Sequence, residues 1–282
     1  MIYYLGLDAG GSTCRVRIVD AQGAVVGEAK GGPANARIGM DALLHVLHDT
    51  TQSALGDIAP DLVSAGFGIA GVNRPGIRDA LAEYAFGFAS LRVESDGHIA
   101  CLGAHGGDDG AIVIVGTGSI GIIKHGDEFT SIGGHGFPIS GEGSGAYIGL
   151  RAVTWLYRVM DGRALREPMF ELLLAAIGGT KEASYLWVDQ AQPNDYAKLA
   201  PIVLACADKG EQGAQDIMRL SGNDIGELIQ AVLAQGASNC SLIGGLGEAI
   251  SAYLPGPLAA RLTPAMSDPL SGAIMLAKAK SL

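Results

Sequence analysis

Two short segments rich in Gly, Ser and Thr follow predicted β-strands and have the composition of phosphate-binding turns. Glycine lets a backbone approach a phosphate closely, and successive backbone N–H groups form a concave site for an anion. Hydroxyl groups in the same turns would add hydrogen-bond donors. The first turn consists of Gly10, Gly11, Ser12 and Thr13, and the second of Gly116, Thr117, Gly118 and Ser119.

Other interpretations of these turns are tested by their context. For the first turn the alternative is an ordinary β-hairpin, in which Gly-Gly is common. The glycines of the second turn match the G-x-G-x-x-G spacing of a dinucleotide site, but the residues that follow alternate like a strand, whereas that site requires a helix. The chain also lacks the G-x-x-x-x-G-K-[ST] motif of P-loop proteins and the G-x-S-x-G motif of Ser hydrolases.

Asp96 lies between a predicted strand and a predicted helix, in the segment VESDGHIACLGA. A carboxylate in this position can serve as a general base that accepts a proton from an attacking hydroxyl group. The alternative is a structural role as the N-cap of the helix, which Asp fills well. Both interpretations remain open at the level of sequence.

The composition restricts the partners and the compartment of the protein. Its 19 basic and 29 acidic residues give a net charge of -10, which would repel nucleic acid and anionic lipid at long range. We find no basic leader with an apolar stretch behind it and no run of about 20 apolar residues, so we expect a cytoplasmic protein that does not bind membranes. The four cysteines are scattered and are expected to be reduced.

The predicted elements place the two turns in corresponding parts of the chain. The first half reads as three strands followed by alternating helices and strands, with helices predicted near 39–55 and 77–89, and strand, turn and strand recur from residue 111. Beyond Glu142 the chain is mainly helical, with helices predicted at 145–160, 168–177, 195–209 and 212–235. We expect two α/β domains, residues 1–107 with 268–282 and residues 108–267, joined by a crossing near Gly106 to Gly110.

Motifs along nearly the whole chain resemble the amino-sugar kinases of the BadF/BadG/BcrA/BcrD ATPase family, within the sugar kinase/heat-shock-70/actin superfamily. The matching segments are LDAGGSTCRV, GGPANAR, the stretch around Asp96, SIGGHGFPISGEGSGAYIGLRA, LIGGLG and DPLSGAIMLA. The resemblance implies an actin-like ATPase fold of two ribonuclease H-like domains, with a nucleotide cleft between them.

The resemblance also implies roles for individual residues. Mg·ATP would bind between the two turns, with its adenosine near Gly244 and Gly245. Asp8 would hold Mg²⁺ through water, because Mg²⁺ keeps several waters and uses few carboxylates. Asp96 would be the base that deprotonates a sugar hydroxyl group. The implied sugar contacts are Asn35, Asp96, Gly134, His135 and Glu142.

Two residues depart from the pattern of the amino-sugar kinases. His135 stands where these kinases usually have Trp, and Gly141 stands where they have the Asp before Glu142. Both positions lie in or beside the sugar pocket of the family. The departures therefore bear on which sugar is bound.

We expect ATP-dependent phosphorylation of glucosamine or N-acetylglucosamine at the 6-hydroxyl group, by a homodimer. One alternative is an ATPase that activates a 2-hydroxyacyl-CoA dehydratase, but it needs cluster-binding cysteines near the second turn, where GTGSIGI has none. Another alternative is a sugar-sensing regulator without catalysis. The presence of Asp8, Asp96 and both turns argues against it, as does the lack of a DNA-binding extension.

Overall fold

The computed structural model describes residues 2–279, which form two compact units. The first unit holds the chain up to Gly110, the segment Lys124–Phe129 and the chain from Pro264 onward. The second unit holds Ala111–Ile123 and Thr130–Thr263. The ends of the predicted first domain, residues 1 and 280–282, lie outside the described residues.

The first unit is built on a five-stranded sheet in the order β3-β2-β1-β4-β5. The first three strands form the predicted antiparallel meander, and β4 and β5 continue the sheet with parallel pairing. Apolar residues alternate along β1 and β2, which gives the sheet one face packed on a core. The strands are β1 (Tyr3–Ala9), β2 (Cys14–Val19), β3 (Val25–Gly31), β4 (Val63–Ile69) and β5 (Ser90–Glu94).

Glycines allow two helices to pack closely on one face of this sheet. A Cβ atom on Gly66 would lie 2.1 Å from the carbonyl oxygen of Ala273, and one on Gly272 would lie 1.8 Å from that of Ile99. These close approaches explain part of the high glycine content of the chain. The helices of the first unit are α1 (Met40–Leu55), α2 (Ile77–Glu83), α3 (Asp96–Ala104) and α12 (Pro269–Lys278).

Helix α2 ends at Glu83, so the predicted continuation to Ala89 is wrong. The residues that follow alternate in the pattern of an extended segment, and Tyr84 has extended backbone angles. This conformation brings the rings of Phe86 and Phe88 onto Phe67 of β4, with centroids 5.2 and 6.0 Å away. Aromatic packing therefore ends the helix here.

The second sheet has four strands in the order β8-β7-β6-β9, and it belongs to the second unit except for Gly110 and the segment Lys124–Phe129, which belong to the first. Its strands are β6 (Gly110–Val115), β7 (Ser119–His125), β8 (Glu128–Gly133) and β9 (Cys240–Ile243), and β9 pairs with β6 in parallel. The strand β7 after the second turn agrees with the rejection of a dinucleotide-binding motif.

Helices make up most of the second unit. They are α4 (Gly145–Met160), α5 (Met169–Ala176), α6 (Lys181–Gln190), α7 (Pro193–Ala197), α8 (Ala200–Asp208), α9 (Gln212–Ala234), α10 (Gly247–Ser251) and α11 (Gly256–Ala259). The predicted helix 195–209 is wrong as a single element, because Pro201 restricts the backbone before it and starts α8 instead. Helix α6 was not predicted. Within residues 2–279, no helix is long and apolar enough to cross a membrane.

Candidate active site

The first turn is a closed, exposed loop at the end of β1. The Gly10 N–H donates to the Thr13 carbonyl at 2.9 Å, while Gly11 and Ser12 are exposed. In the described part of the chain, the backbone N–H groups of Gly11 and Ser12 donate to no acceptor. The turn therefore has free donors for an anion, as predicted for a phosphate site.

Asp8 immediately precedes this turn and is largely buried, with 16% of its side chain exposed. It shares the sheet face of Gly6, because side chains alternate along a strand, and Gly6 packs against α12. Arg15, opposite Asp8 in the β1–β2 register, donates from Nη2 to Asp8 Oδ2 at 2.5 Å. The sequence analysis missed Arg15, although its place opposite Asp8 in a predicted hairpin was a usable signal.

The site around Asp8 fits a hydrated magnesium ion better than a fully protein-bound metal. Among the residues from 2 to 279, no cluster of three or more His, Cys, Asp or Glu side chains could hold a metal ion. A single carboxylate beside a phosphate-binding turn is the usual protein contribution to Mg²⁺, which takes its other oxygens from water and phosphates. Asp8 therefore suits the predicted role.

Asn35 lies beside the first turn because backbone hydrogen bonds hold its loop there. The Ala34 N–H donates to the Gly10 carbonyl at 3.0 Å, and the Ala36 N–H donates to the Ala70 carbonyl at 2.9 Å. Asn35 Oδ1 accepts from the Arg37 N–H at 2.9 Å, and Nδ2 lies 3.8 Å from the Cβ position of Gly11. The Nδ2 group of Asn35 is thus placed to donate to a ligand beside this turn.

Asp96 is not the N-cap of α3, so this structural interpretation is wrong. Ser95 is the N-cap, and its Oγ accepts from the His98 N–H at 3.1 Å. Asp96 is the first helical residue, and its carboxylate accepts from backbone N–H groups of its own turn, among them that of the adjacent Gly97, which lies 3.0 Å from Oδ1. The carboxylate of Asp96 is consequently available for another role.

The electrostatic surroundings of Asp96 suit a general base. Burial raises the pKa of Asp96 above its usual value, the hydrogen bond from Gly97 opposes this, and the negative charge of Asp8 raises the pKa further. Asp8 and Asp96 therefore influence each other inside the first unit. A carboxylate with a raised pKa takes up a proton more readily than an ordinary Asp side chain.

The second turn is attached to the beginning of α4 in the second unit. The N–H groups of Gly145 and Ala146 donate to the carbonyls of Gly116 and Thr117, at 2.9 and 3.0 Å. The Ser119 hydroxyl is buried and donates to the Glu142 carbonyl at 2.9 Å, so it is engaged within the protein. Of the two hydroxyl groups in this turn, Thr117 is the one exposed for contact with a ligand.

Gly244 lies directly against the strand that leads into the second turn. A Cβ atom on Gly244 would lie 2.4 Å from the Val115 carbonyl oxygen, and the residue has a φ of 98°. The Leu246 N–H donates to the same carbonyl at 3.0 Å. Only glycine fits this position, and the exposed Gly245 beside it is thereby brought to the same sheet edge as Gly116.

The predicted sugar loop runs from Gly134 to Glu142 and exposes both His135 and Glu142. Glu142 Oε2 accepts from the Gly141 N–H at 3.0 Å. Tyr147 in the first turn of α4 donates its hydroxyl hydrogen to the Pro138 carbonyl at 2.8 Å, which fixes the middle of the loop.

The sequence analysis also did not single out Ser144, the residue before α4, as a candidate site residue. Its side chain is fully buried, and its Oγ has no hydrogen-bond partner in the described structure. A Ser directly before a predicted helix was the available signal, because such a residue usually caps the helix.

The structure thus gathers the predicted residues in two groups. The first unit brings together Asp8, the first turn, Asn35 and Asp96. The second unit joins the second turn to Glu142 and to Gly244.

Comparison with known proteins points to sugar kinases. The chain is 36% identical to glucosamine kinase GspK of Vibrio cholerae, over 98% of this chain and 96% of the relative. It is 26% identical to an N-acetylmuramic acid/N-acetylglucosamine kinase of Clostridium acetobutylicum, over 83% and 80% of the two chains.

Solved structures agree in fold. A Chromobacterium violaceum protein, provisionally assigned as an N-acetylglucosamine kinase, matches with a TM-score of 0.90 and 32% identity, over 98% of this chain and 99% of the other. A ROK family glucokinase from Streptomyces griseus matches with a TM-score of 0.60 and 17% identity, over 98% of each chain, which supports the fold alone. These matches confirm the predicted mixed α/β fold of the sugar kinase and actin-like ATPase type.

The family model of the BadF/BadG/BcrA/BcrD ATPases matches residues 5–254, which contain both turns, Asp8, Asp96 and the sugar loop. The predicted family is therefore confirmed, and this chain belongs to the BadF/BadG/BcrA/BcrD ATPase family.

Proposed function

We propose that this protein is an ATP-dependent kinase that phosphorylates an amino sugar at its 6-hydroxyl group. The observation that carries the proposal concerns the carboxylate of Asp96. Ser95 caps α3, so this carboxylate does not serve as the cap, and its pKa is raised by burial and by the negative charge of Asp8. The kinase relatives at 36% and 26% identity support the same activity.

Asp96 would perform the proton transfer in this reaction. It accepts the proton of the sugar hydroxyl group while the hydroxyl oxygen attacks the γ-phosphorus of ATP, and the bond from this phosphorus to the bridging oxygen of ADP breaks. The proton ends on Asp96 and the phosphoryl group on the sugar. The free N–H groups of the first turn and the exposed Thr117 of the second would bind phosphate oxygens.

Asp8 is the residue that would hold Mg²⁺. The ion, when bound, neutralises charge on the phosphates and orients them. Arg15 occupies Asp8 Oδ2 in this structure, so Asp8 has to exchange that contact, or share its carboxylate, to bind the hydrated ion.

Glucosamine is the amino sugar that we favour. Glu142 is exposed at the sugar loop, and the Gly141 N–H engages one of its oxygens, which leaves the other for a ligand. A carboxylate attracts the charged amine of glucosamine, whereas the neutral acetamide of N-acetylglucosamine gains less. The similarity to a glucosamine kinase supports this choice.

The dehydratase-activator alternative lacks support among the cysteines. Cys14, Cys101, Cys206 and Cys240 are all buried. Burial raises the pKa of Cys14 and Cys240 to about 11, which disfavours the thiolate form that binds iron.

A coupled assay of ADP release with glucosamine, N-acetylglucosamine, N-acetylmannosamine and glucose tests the proposal. We expect turnover that depends on an amino sugar and on Mg²⁺, with the phosphorylated position identified by NMR of the product. ATP hydrolysis at one rate with and without every sugar would contradict the kinase assignment.

A further inference from the structure

The turn that carries Asp96 follows a strand with only one neighbour. β5 is the edge strand of the first sheet, and its pairing with β4 ends at Glu94, two residues before Asp96. An edge strand lacks ladder hydrogen bonds on its open side, so its end is held less firmly than that of a central strand. Side-chain contacts at this open edge would therefore add to the packing of α12 on α3 in fixing the position of this turn.

Arg78 on α2 supplies such contacts from the open side. Its Nη1 donates to the Val93 carbonyl at 2.5 Å, and its Nη2 donates to Glu94 Oε2 at 3.0 Å. Nη2 also donates to Asn73 Oδ1 at 3.0 Å. One guanidinium thus connects the end of β5 to α2.

Glu94 and His98 extend this connection to the first turn of α3. His98 Nδ1 lies 2.7 Å from Glu94 Oε2, and the two side chains are 14% and 29% exposed, respectively. The His98 ring stacks on Phe129, also in the first unit, with centroids 4.1 Å apart and ring planes within 9°. The position of His98 is therefore held by a hydrogen bond on its edge and by a ring on its face.

The charge on Glu94 is well stabilised by this arrangement. Burial alone would raise the pKa of Glu94, but hydrogen bonds from His98 and Arg78 outweigh it and lower the pKa to about 2. Glu94 is consequently ionised at neutral pH and keeps its charge towards both Arg78 and His98.

We propose that Glu94 and His98 are positioning residues for the base Asp96, holding the first turn of α3 so that its carboxylate meets the sugar hydroxyl group. This inference rests on the proposed function, in which Asp96 is the base. The Asp96 carboxylate accepts hydrogen bonds from the backbone of its own turn, including one from the Gly97 N–H at 3.0 Å, so its direction follows that backbone. A base acts only within hydrogen-bond reach of its proton, and a displacement of about 1 Å can cost on the order of 100-fold in rate.

Steady-state kinetics of Glu94→Ala and His98→Ala test the inference. We expect kcat to fall by about 10-fold in each variant, with the KM for ATP within about 2-fold of the unchanged protein. The conservative variant Glu94→Gln, which can still accept from Arg78, should recover most of the loss. His98→Phe keeps the stacking on Phe129 but loses the hydrogen bond to Glu94, so it should recover only part of it. Circular dichroism at the assay temperature checks that each variant is folded.

Glu28→Ala is the matched control. Glu28 forms an ion pair with Arg17 in the same unit, at 2.8 Å between Glu28 Oε1 and Arg17 Nε, and it lies on β3, the edge strand opposite to β5. Loss of this pair should leave kcat unchanged.

A double-mutant cycle separates positioning from a general structural effect. In an Asp96→Asn background, His98→Ala should cause no further loss, because there is no base left to position. A further 10-fold loss in that background, or single variants that keep kcat within 2-fold while Asp96→Asn is strongly impaired, would overturn the inference. Full turnover of Asp96→Asn alone would instead overturn the base assignment in the proposed function.

Discussion

Arg15 and Asp8 face each other across β1 and β2, with Arg15 Nη2 2.5 Å from Asp8 Oδ2. The carboxylate predicted to hold magnesium is thus paired with a guanidinium. Arg15 is 42% exposed, so its side chain can move aside without disrupting the core. Arg15 is well placed to exchange Asp8 for the phosphate oxygens of a nucleotide.

Asp8→Ala should lower kcat and increase the Mg²⁺ concentration required for half-maximal activity. The reason is that the metal both orients the phosphates and offsets their charge, and Asp8 is the carboxylate predicted to hold it. The measurement is a Mg²⁺ titration of ADP release at fixed ATP and sugar. An unchanged titration curve would assign the metal to another residue.

Asp96→Asn should lower kcat by at least about 100-fold and leave ATP binding nearly intact, since only the proton acceptor is lost. An ordinary Asp side chain has a pKa of 3.8, and the pKa of Asp96 is raised above this value in the unchanged protein. As the pH falls, Asp96 therefore becomes protonated, and loses its ability to act as a base, at a higher pH than an ordinary Asp side chain does. The acid limb of the kcat/KM profile, which reports groups of the free enzyme, should therefore lie above pH 3.8. Turnover of the variant within a few-fold of the original would show that Asp96 is not the base.

Glu94 should contribute stability at neutral pH that is lost in acid. Its pKa is lowered from 4.5 to about 2 on folding, so its contribution is fully present above pH 4.5 and disappears as the pH falls towards 2. The shift corresponds to about 3 kcal/mol at most. Urea unfolding at pH 7 and pH 3 should show a smaller pH dependence in Glu94→Gln, and an equal pH dependence in both proteins would contradict this account.

Glu142→Gln should raise the KM for glucosamine more than that for N-acetylglucosamine, because a neutral side chain no longer attracts the charged amine. His135→Trp should shift kcat/KM towards N-acetylglucosamine by supplying the indole that the resemblance to amino-sugar kinases implies at this position. Gly141→Asp is a poor test, because Gly141 has a φ of 109° that Asp rarely adopts. A preference above about 100-fold for N-acetylglucosamine that neither variant changes would contradict this view of the pocket.

Gly272→Ala should destabilise the first unit by about 1–3 kcal/mol, the usual cost of overpacking. The added methyl would lie 1.8 Å from the Ile99 carbonyl oxygen and would push α12 away from α3, the helix that carries Asp96. Gly256→Ala is the control, since a Cβ there meets no atom within 4 Å. Equal free energies of unfolding for the two variants would show that α12 does not pack as closely as described.

Structural elements that are set by residues close together in the sequence could be predicted. The strands β1, β2 and β3 and the turn at Gly10 to Thr13 follow from alternating apolar residues and from glycine, which act over a few positions. The end of α2 was not predicted, because an aromatic cluster that includes Phe67 of β4, a separate element, accompanies it. The division between α7 and α8 was missed although Pro201 was a local signal for it.

By itself, the sequence determined the family, the α/β class and the positions of the two turns, because motifs and strand periods are local properties of the chain. The tertiary structure decided which of Ser95 and Asp96 caps α3, since both residue types can cap a helix and only the backbone geometry selects one. It also decided that Glu94, His98 and Phe129 meet beside Asp96. Phe129 is distant in the chain from the other two, and such contacts form only when packing brings separate elements together.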